Sequence, residues 1–114
     1  MKKSETIMEL KKQGVVAVVR GHSLSEGIEI SKACIKGGLK AIEMAYTNTS
    51  ASEIIKQLCE IYKEDQEVCI GAGTVLDAPT ARMAILAGAK YIVSPSFDKE
   101  TAILCNRYDN SRNC

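Results

Sequence analysis

Arg20, Glu43, Thr47 and Thr74 carry reactive or ligand-binding groups at or near the ends of apolar runs, and the last run carries Ser94–Pro95. Glu43 is the sharpest of them because it lies inside an apolar run, between Ile42 and Met44. Burying a carboxylate is costly unless it is paired or protonated, and burial raises its pKa toward the range useful for proton transfer at neutral pH. Glu43 is therefore a candidate general acid/base. The alternatives are an exposed edge position or a structural ion pair with Lys40 or Arg20.

The other polar residues are candidates for binding rather than for proton transfer. Arg20 directly precedes Gly21 at the end of a run, where a guanidinium can hold a carboxylate or a phosphate. Thr47 and Thr74 offer hydroxyls and backbone N–H groups, although each taken singly is more often a turn residue. The turn at residues 71–74 (GAGT) could cradle an anion, but it lacks the third glycine of GxGxxG and the lysine of a P-loop.

Four apolar runs at near-even spacing alternate with segments of helical periodicity. They are Val15–Arg20, Ala41–Tyr46, Val68–Thr74 and Tyr91–Phe97. The first three are rich in Val, Ile and Ala with little alternation, as in strands buried on both faces of a parallel sheet. Reactive groups of parallel α/β folds gather at the carboxyl ends of such strands. Since a barrel needs eight such units, we predict an α/β fold that is the first half of a (β/α)8 barrel, with a short leading helix.

Capping signals mark the helices between the runs. Ser23-x-x-Glu26 and Ser50-x-x-Glu53 read as capping boxes, Asp77 reads as an N-cap with Pro79 in the first turn, and Asp98 reads as the cap of the last helix. We assign residues 1–108 to the half-barrel. Residues 109–114 (DNSRNC) are polar and without periodicity, so we predict an irregular tail.

Composition excludes several classes of partner. The net charge is +1 with scattered basic residues, which argues against nucleic acid or an anionic membrane. No apolar stretch approaches a membrane span, and the N-terminus has no apolar core of a secretory signal. The five cysteines show no CxxC spacing and there is one histidine, so we predict no metal site and a reducing, cytoplasmic compartment.

Four stretches together resemble the KDPG/KHG aldolases, which act on 2-dehydro-3-deoxy-phosphogluconate or 4-hydroxy-2-oxoglutarate. They are GVVAVVRG, GGLKAIEMAYTN, IGAGTVLDAPTARMAILAGAKYIVSPSFD and LCNRY, at residues 14–21, 37–48, 70–98 and 104–108. The pairing of GAGTVL with AGAKYIVSPSF is specific in combination. The resemblance implies a class I aldolase barrel that needs no cofactor, cleaves a small keto acid to pyruvate and an aldehyde, and forms homotrimers at full length.

The resemblance also implies roles for the candidate residues. Glu43 matches the acid/base glutamate, and Arg20 and Thr74 match positions that contact substrate. Some members have an arginine where this chain has Thr47, and Pro95 matches the serine–proline turn after the fourth strand.

The chain departs from the family in lacking the K-[LF]-F-P pattern that holds the Schiff-base lysine. Lys40 and Lys90 lie at strand starts, on the wrong side of a barrel. We therefore expect no covalent step from these 114 residues, and interpret the tail as a premature stop or a frameshift. The alternatives are a non-enzymatic half-barrel that binds ligand or self-assembles, and a fragment of the aldolase for the galactonate epimer. A flavodoxin-like nucleotide domain is disfavoured because GHSLS is not a phosphate loop.

An isolated half-barrel would also expose surfaces that a closed barrel covers. We predict open edges at the first and fourth strands. We further predict an uncovered sheet face lined by Val16, Val18 and Ile92 or their neighbours. Such a monomer should be poorly stable.

Overall fold

The chain folds into a parallel sheet packed against helices, in a computed structural model that describes residues 3–95, 99–108 and 111–113. The strands are β1 (Ala17–Val19), β2 (Ala41–Ala45), β3 (Cys69–Gly73), β4 (Tyr91–Val93) and β5 (Ser111–Asn113). The helices are α1 (Lys3–Gln13), α2 (Leu24–Lys36), α3 (Ala51–Ile61), α4 (Ala78–Ala87) and α5 (Lys99–Arg107). The predicted α/β fold, with a leading helix and four parallel βα units, is confirmed.

The sheet has the strand order β1-β2-β3-β4-β5, and every neighbouring pair is parallel. The predicted irregular tail is wrong in part, because residues 111–113 form β5 and pair with β4. Three polar residues carry no strand signal in the sequence, so only pairing to the neighbouring strand defines them. Consequently the second open edge of the described sheet is β5 rather than the fourth strand.

Strict alternation along the strands gives the sheet two different faces. One face is fully buried against helices α2–α5 and includes Ile42, Met44 and Ile92, each 0% exposed. The opposite face carries Glu43, and on it Val18 stays 47% exposed. Ile92 was predicted for this open face and lies instead in the core. Because the register sets Ala72 opposite Ile92, the residues of β4 on the open face are Tyr91 and Val93.

Two of the predicted helix caps are present. The side chain of Ser23 accepts a hydrogen bond from the Glu26 N–H at 3.2 Å. Asp77 accepts one from the Thr80 N–H at 2.9 Å. Each cap satisfies a backbone donor that the first turn of a helix leaves open. The predicted cap at Asp98 lies outside the described residues. In the described ranges, no helix is both long and apolar enough to cross a membrane.

Candidate active site

Glu43 projects from the middle of β2 onto the open face of the sheet and is half-buried. Its Cα partners are Val18 on β1 and Gly71 on β3. The carboxylate, however, lies over Gly73, where a methyl group would overlap with it. The side chain therefore leans toward the carboxyl edge of the sheet, which is the edge where parallel α/β proteins collect their reactive groups.

The carboxyl group of Glu43 has no ionic partner among the described residues. Burial raises its pKa above the ordinary 4.5, and the positive charge of Arg20 opposes that shift without cancelling it. Lys40, the other partner considered, instead pairs with Asp65 at 3.2 Å. Glu43 therefore does not form the structural ion pair that was the alternative. A desolvated carboxyl group with a raised pKa is suited to accept and return protons.

The side chain of Asn48 links the loops that follow β1 and β2 by hydrogen bonds. Its Nδ2 donates to the carbonyls of Arg20 at 3.1 Å and Ser23 at 3.2 Å, and its Oδ1 accepts from the Ser50 N–H at 2.8 Å. The predicted capping box at Ser50 is wrong, since Ser50 makes no side-chain cap bond. Sequence reasoning missed Asn48. A 2%-exposed asparagine must satisfy its amide internally, but a TNTS segment reads simply as a turn.

Thr74 is the non-glycine residue with positive φ, at 55°, in the described chain. A β-branched residue in the left-handed region costs about 1–3 kcal/mol, and such strain is common at functional sites. The next residue, Val75, donates its N–H to the Val93 carbonyl at 3.2 Å. The ends of β3 and β4 are thereby linked directly beside Thr74.

Thr47 and Pro95 lie at the same edge and are exposed. Each comes two residues after a strand, Thr47 after β2 and Pro95 after β4. The structure thus places Arg20, Thr47, Thr74 and Pro95 in the segments that follow the strands, at the carboxyl edge toward which the Glu43 carboxylate leans. It brings Arg20 within electrostatic range of Glu43, whereas Thr47 and Pro95 make no hydrogen bond to Glu43 in the part of the chain that is described.

Tyr91 is a second residue that sequence reasoning missed. Its ring lies over Gly71, and its hydroxyl donates to the Ile42 carbonyl at 2.7 Å. It is 3% exposed. The sequence allows Gly71 and Gly73 to belong to an anion-binding turn. In the structure they lie within β3, and their missing side chains leave space for Tyr91 and Glu43. Two glycines spaced two apart in a buried strand are the signal that could have indicated this.

A family model described as KDPG and KHG aldolase matches residues 6–111. The chain belongs to the KDPG/KHG aldolase family. The 2-dehydro-3-deoxy-phosphogluconate aldolase of Treponema pallidum is 34% identical over 101 residues, which are 88% of this chain and 47% of that protein. The KHG/KDPG aldolase of Escherichia coli K12 is 31% identical over 81 residues, 71% of this chain and 37% of that protein. The chain spans about half the length, or less, of such relatives.

Solved aldolases of this family share the fold. The 2-keto-3-deoxy-6-phosphogluconate aldolase of Zymomonas mobilis ZM4, solved with 3-phosphoglycerate, superposes with a TM-score of 0.78 at 26% identity. The match covers 94% of this chain and 49% of that one. A cube-shaped cage designed by fusing symmetric oligomeric domains matches with a TM-score of 0.75 at 25% identity, covering 85% of this chain and 35% of that one.

None of the lysines that the structure describes lies on a strand or in the loops after β1, β2 and β3. In the described residues they lie on helices, in the turn after α3, or ahead of a strand. Lys40 precedes β2 and Lys90 precedes β4, as predicted. Across the described ranges, no group of three or more His, Cys, Asp or Glu side chains is arranged to hold a metal ion.

Proposed function

We propose that this chain supplies the proton-transfer and substrate-binding portion of a class I aldolase site. The substrate is 2-keto-3-deoxy-6-phosphogluconate or 4-hydroxy-2-oxoglutarate, and the products are pyruvate and an aldehyde, glyceraldehyde 3-phosphate or glyoxylate. The observation that carries the proposal is Glu43: a half-buried carboxyl group without an ionic partner, leaning toward the carboxyl edge of the sheet. Family membership supports the reaction class.

Glu43 is the general acid/base of this proposal. In a class I aldolase an amine adds to the substrate carbonyl, and the oxygen leaves as water once it has been protonated. The resulting iminium accepts the electron pair when the carbon–carbon bond breaks, while a base removes the proton of the departing hydroxyl. A carboxyl group with a raised pKa can give the first proton and take the second. Its position over Gly73 turns it toward the space above the carboxyl edge.

Arg20, Thr47, Thr74 and Pro95 are the substrate-binding residues of the proposal. A guanidinium at a strand end binds a substrate carboxylate through paired hydrogen bonds. Arg20 is exposed there, and the structure describes no ion pair that would occupy it. The threonines and the proline shape the rest of the same edge. We further propose a cytoplasmic location, and homotrimers for the full-length protein.

The covalent step needs an amine beside the substrate carbonyl. The described lysines lie neither on the strands nor in the loops after β1, β2 and β3, so we expect no imine and no acceptor for the electrons of the breaking bond. We therefore propose that the 114 residues by themselves do not turn over substrate. Joining residues 1–108 to the second half of the Zymomonas mobilis enzyme completes the barrel, and the family resemblance implies that this second half holds the Schiff-base lysine.

Borohydride trapping with pyruvate, combined with a coupled pyruvate-release assay, tests both parts of the proposal. The 114-residue chain should give no reduced adduct and no turnover above background. The joined barrel should give both. A stable adduct on the 114-residue chain would contradict the missing step. A joined barrel that traps pyruvate but never cleaves substrate would contradict the role of this half in proton transfer.

A further inference from the structure

The glycines of β3 leave two neighbouring hollows on the open face of the sheet, and a different strand fills each one. The ring of Tyr91, from β4, occupies the hollow over Gly71. The carboxylate of Glu43, from β2, occupies the hollow over Gly73. Both side chains reach inward over the strand that separates their own.

Glu43 does not take the hollow beside it. Its Cα partner is Gly71, yet its carboxylate lies over Gly73, two residues further along β3. Two residues of a strand span about 6.6 Å, so the displacement toward the carboxyl edge is considerable for a side chain of this length. Tyr91 also stands at the level of Gly71, since Ala72 pairs with Ile92. The hollow nearest to Glu43 is therefore already filled.

The ring of Tyr91 is fixed at both ends. One end is its own backbone in β4, and the other is the hydroxyl, which donates to the Ile42 carbonyl at 2.7 Å. Ile42 belongs to β2 and directly precedes Glu43. The ring thus spans β3 completely and cannot move aside without losing a buried hydrogen bond.

We propose that Tyr91 is a positioning residue for Glu43: its ring closes the hollow over Gly71 and so holds the carboxylate over Gly73, at the carboxyl edge. A tyrosine that merely filled the core would contribute stability without deciding where Glu43 points. The placement stands on geometry alone. Its importance for catalysis rests on the proposed function of Glu43.

The test is to observe the Glu43 side chain directly, by nuclear Overhauser contacts from its γ-protons to the α-protons of Gly71 and Gly73. The 114-residue chain, in whichever oligomeric state it adopts, should show the contact with Gly73. In Tyr91→Ala the intensity ratio of the Gly71 contact to the Gly73 contact should rise several-fold, because the nearer hollow is open. Tyr91→Phe, the matched control, loses the bond to the Ile42 carbonyl but keeps a ring that fills the hollow over Gly71, so it should keep the wild-type ratio.

A second variant guards against loss of folding. Should Tyr91→Ala fail to fold, Tyr91→Leu keeps an apolar side chain that is too short to span β3, and it should raise the same ratio. A Gly71 contact already dominant in the wild type, or a ratio unchanged in the folded Ala or Leu variant, would overturn the positioning role. Neither result bears on pyruvate trapping or on cleavage, so failure of this inference and failure of the proposed function are distinguishable.

Discussion

Charged residues are arranged differently at the two ends of the parallel strands. We call the end where the strands begin the amino edge and the end where they finish the carboxyl edge. At the amino edge, Lys40 lies 3.2 Å from Asp65 and 3.7 Å from Glu67, and Lys12 lies 3.9 Å from Glu67. At the carboxyl edge, Glu43 is half-buried and has no ionic partner in the described chain. Paired charges in a solvated setting contribute modestly to stability, whereas an unpaired carboxyl group in a desolvated setting is typical of functional sites.

The pKa values follow the same division. At the amino edge, a hydrogen bond from the Glu67 N–H, aided by Lys40, lowers the pKa of Asp65 below 3.8. At the carboxyl edge, burial raises the pKa of Glu43 above 4.5 despite the nearby Arg20. The ion pairs of the sheet thus lie at the amino edge, and the charged groups at the carboxyl edge are available for a substrate.

The largest expected effect separates the two edges by activity. In the barrel that joins residues 1–108 to the second half of the Zymomonas mobilis enzyme, Glu43→Gln should lower turnover by about 10²–10⁴, the usual contribution of a general acid/base. Lys40→Met, at the amino edge, should leave turnover near the wild-type value. Steady-state pyruvate release measures both, with Glu64→Gln, an exposed turn position, as the matched control. Equal losses at the two edges would erase the functional distinction between them.

The next effect concerns the open face of the 114-residue chain. Val16 and Val18 are 38% and 47% exposed, and β1 and β5 are the unpaired edges of the described sheet. At about 25 cal/mol per Å², a few hundred Å² left in water forfeits several kcal/mol, comparable with the stability of a small domain.

We therefore expect the chain to associate or to unfold without a sharp transition. Light scattering after size exclusion, together with thermal unfolding, measures this. A monodisperse monomer with a cooperative transition above about 60 °C would show that the open face is stable as it is.

The sequence supports the fold further than it supports the site. Apolar runs and helix caps locate four strands and all the helices, because burial and backbone hydrogen bonding leave a periodic pattern. Strand β5 could not be predicted from the sequence, because its pairing with β4 rather than its composition defines it. In the site, Glu43 is found because a carboxylate in an apolar run is conspicuous. Tyr91 and Asn48 act through contacts across β3 and between loops, and periodicity carries no information about such contacts.

The smallest expected effect is on stability and has a defined sign. The folded-state pKa of Glu43 is raised above 4.5, so the folded chain binds this proton more tightly than the unfolded chain does. The free energy of unfolding should therefore fall as pH rises from 4.5 through the folded-state pKa. Glu43→Gln removes that loss, and should be more stable than the wild type near neutral pH and equal to it below pH 4.5.

Urea unfolding of the wild type and of Glu43→Gln, below pH 4.5 and near neutral pH, measures the difference in the free energy of unfolding. Asp65→Asn is the opposite case, because a lowered pKa gives stability that is present above 3.8 and lost as pH falls through the folded-state pKa. A Glu43→Gln variant less stable than the wild type near neutral pH would mean that the ionised carboxylate is stabilised by the fold.

The most direct measurement of the contrast between the edges is a carbon-13 titration that follows the carboxyl groups of Glu43 and Asp65 in one sample. Glu43→Gln and Asp65→Asn identify the two signals. The midpoint for Glu43 should lie above 4.5 because burial disfavours its charged form, and that for Asp65 below 3.8 because the Glu67 N–H and then Lys40 bind its carboxylate. A midpoint for Glu43 at or below 4.5 would contradict a desolvated, unpaired acid/base at the carboxyl edge.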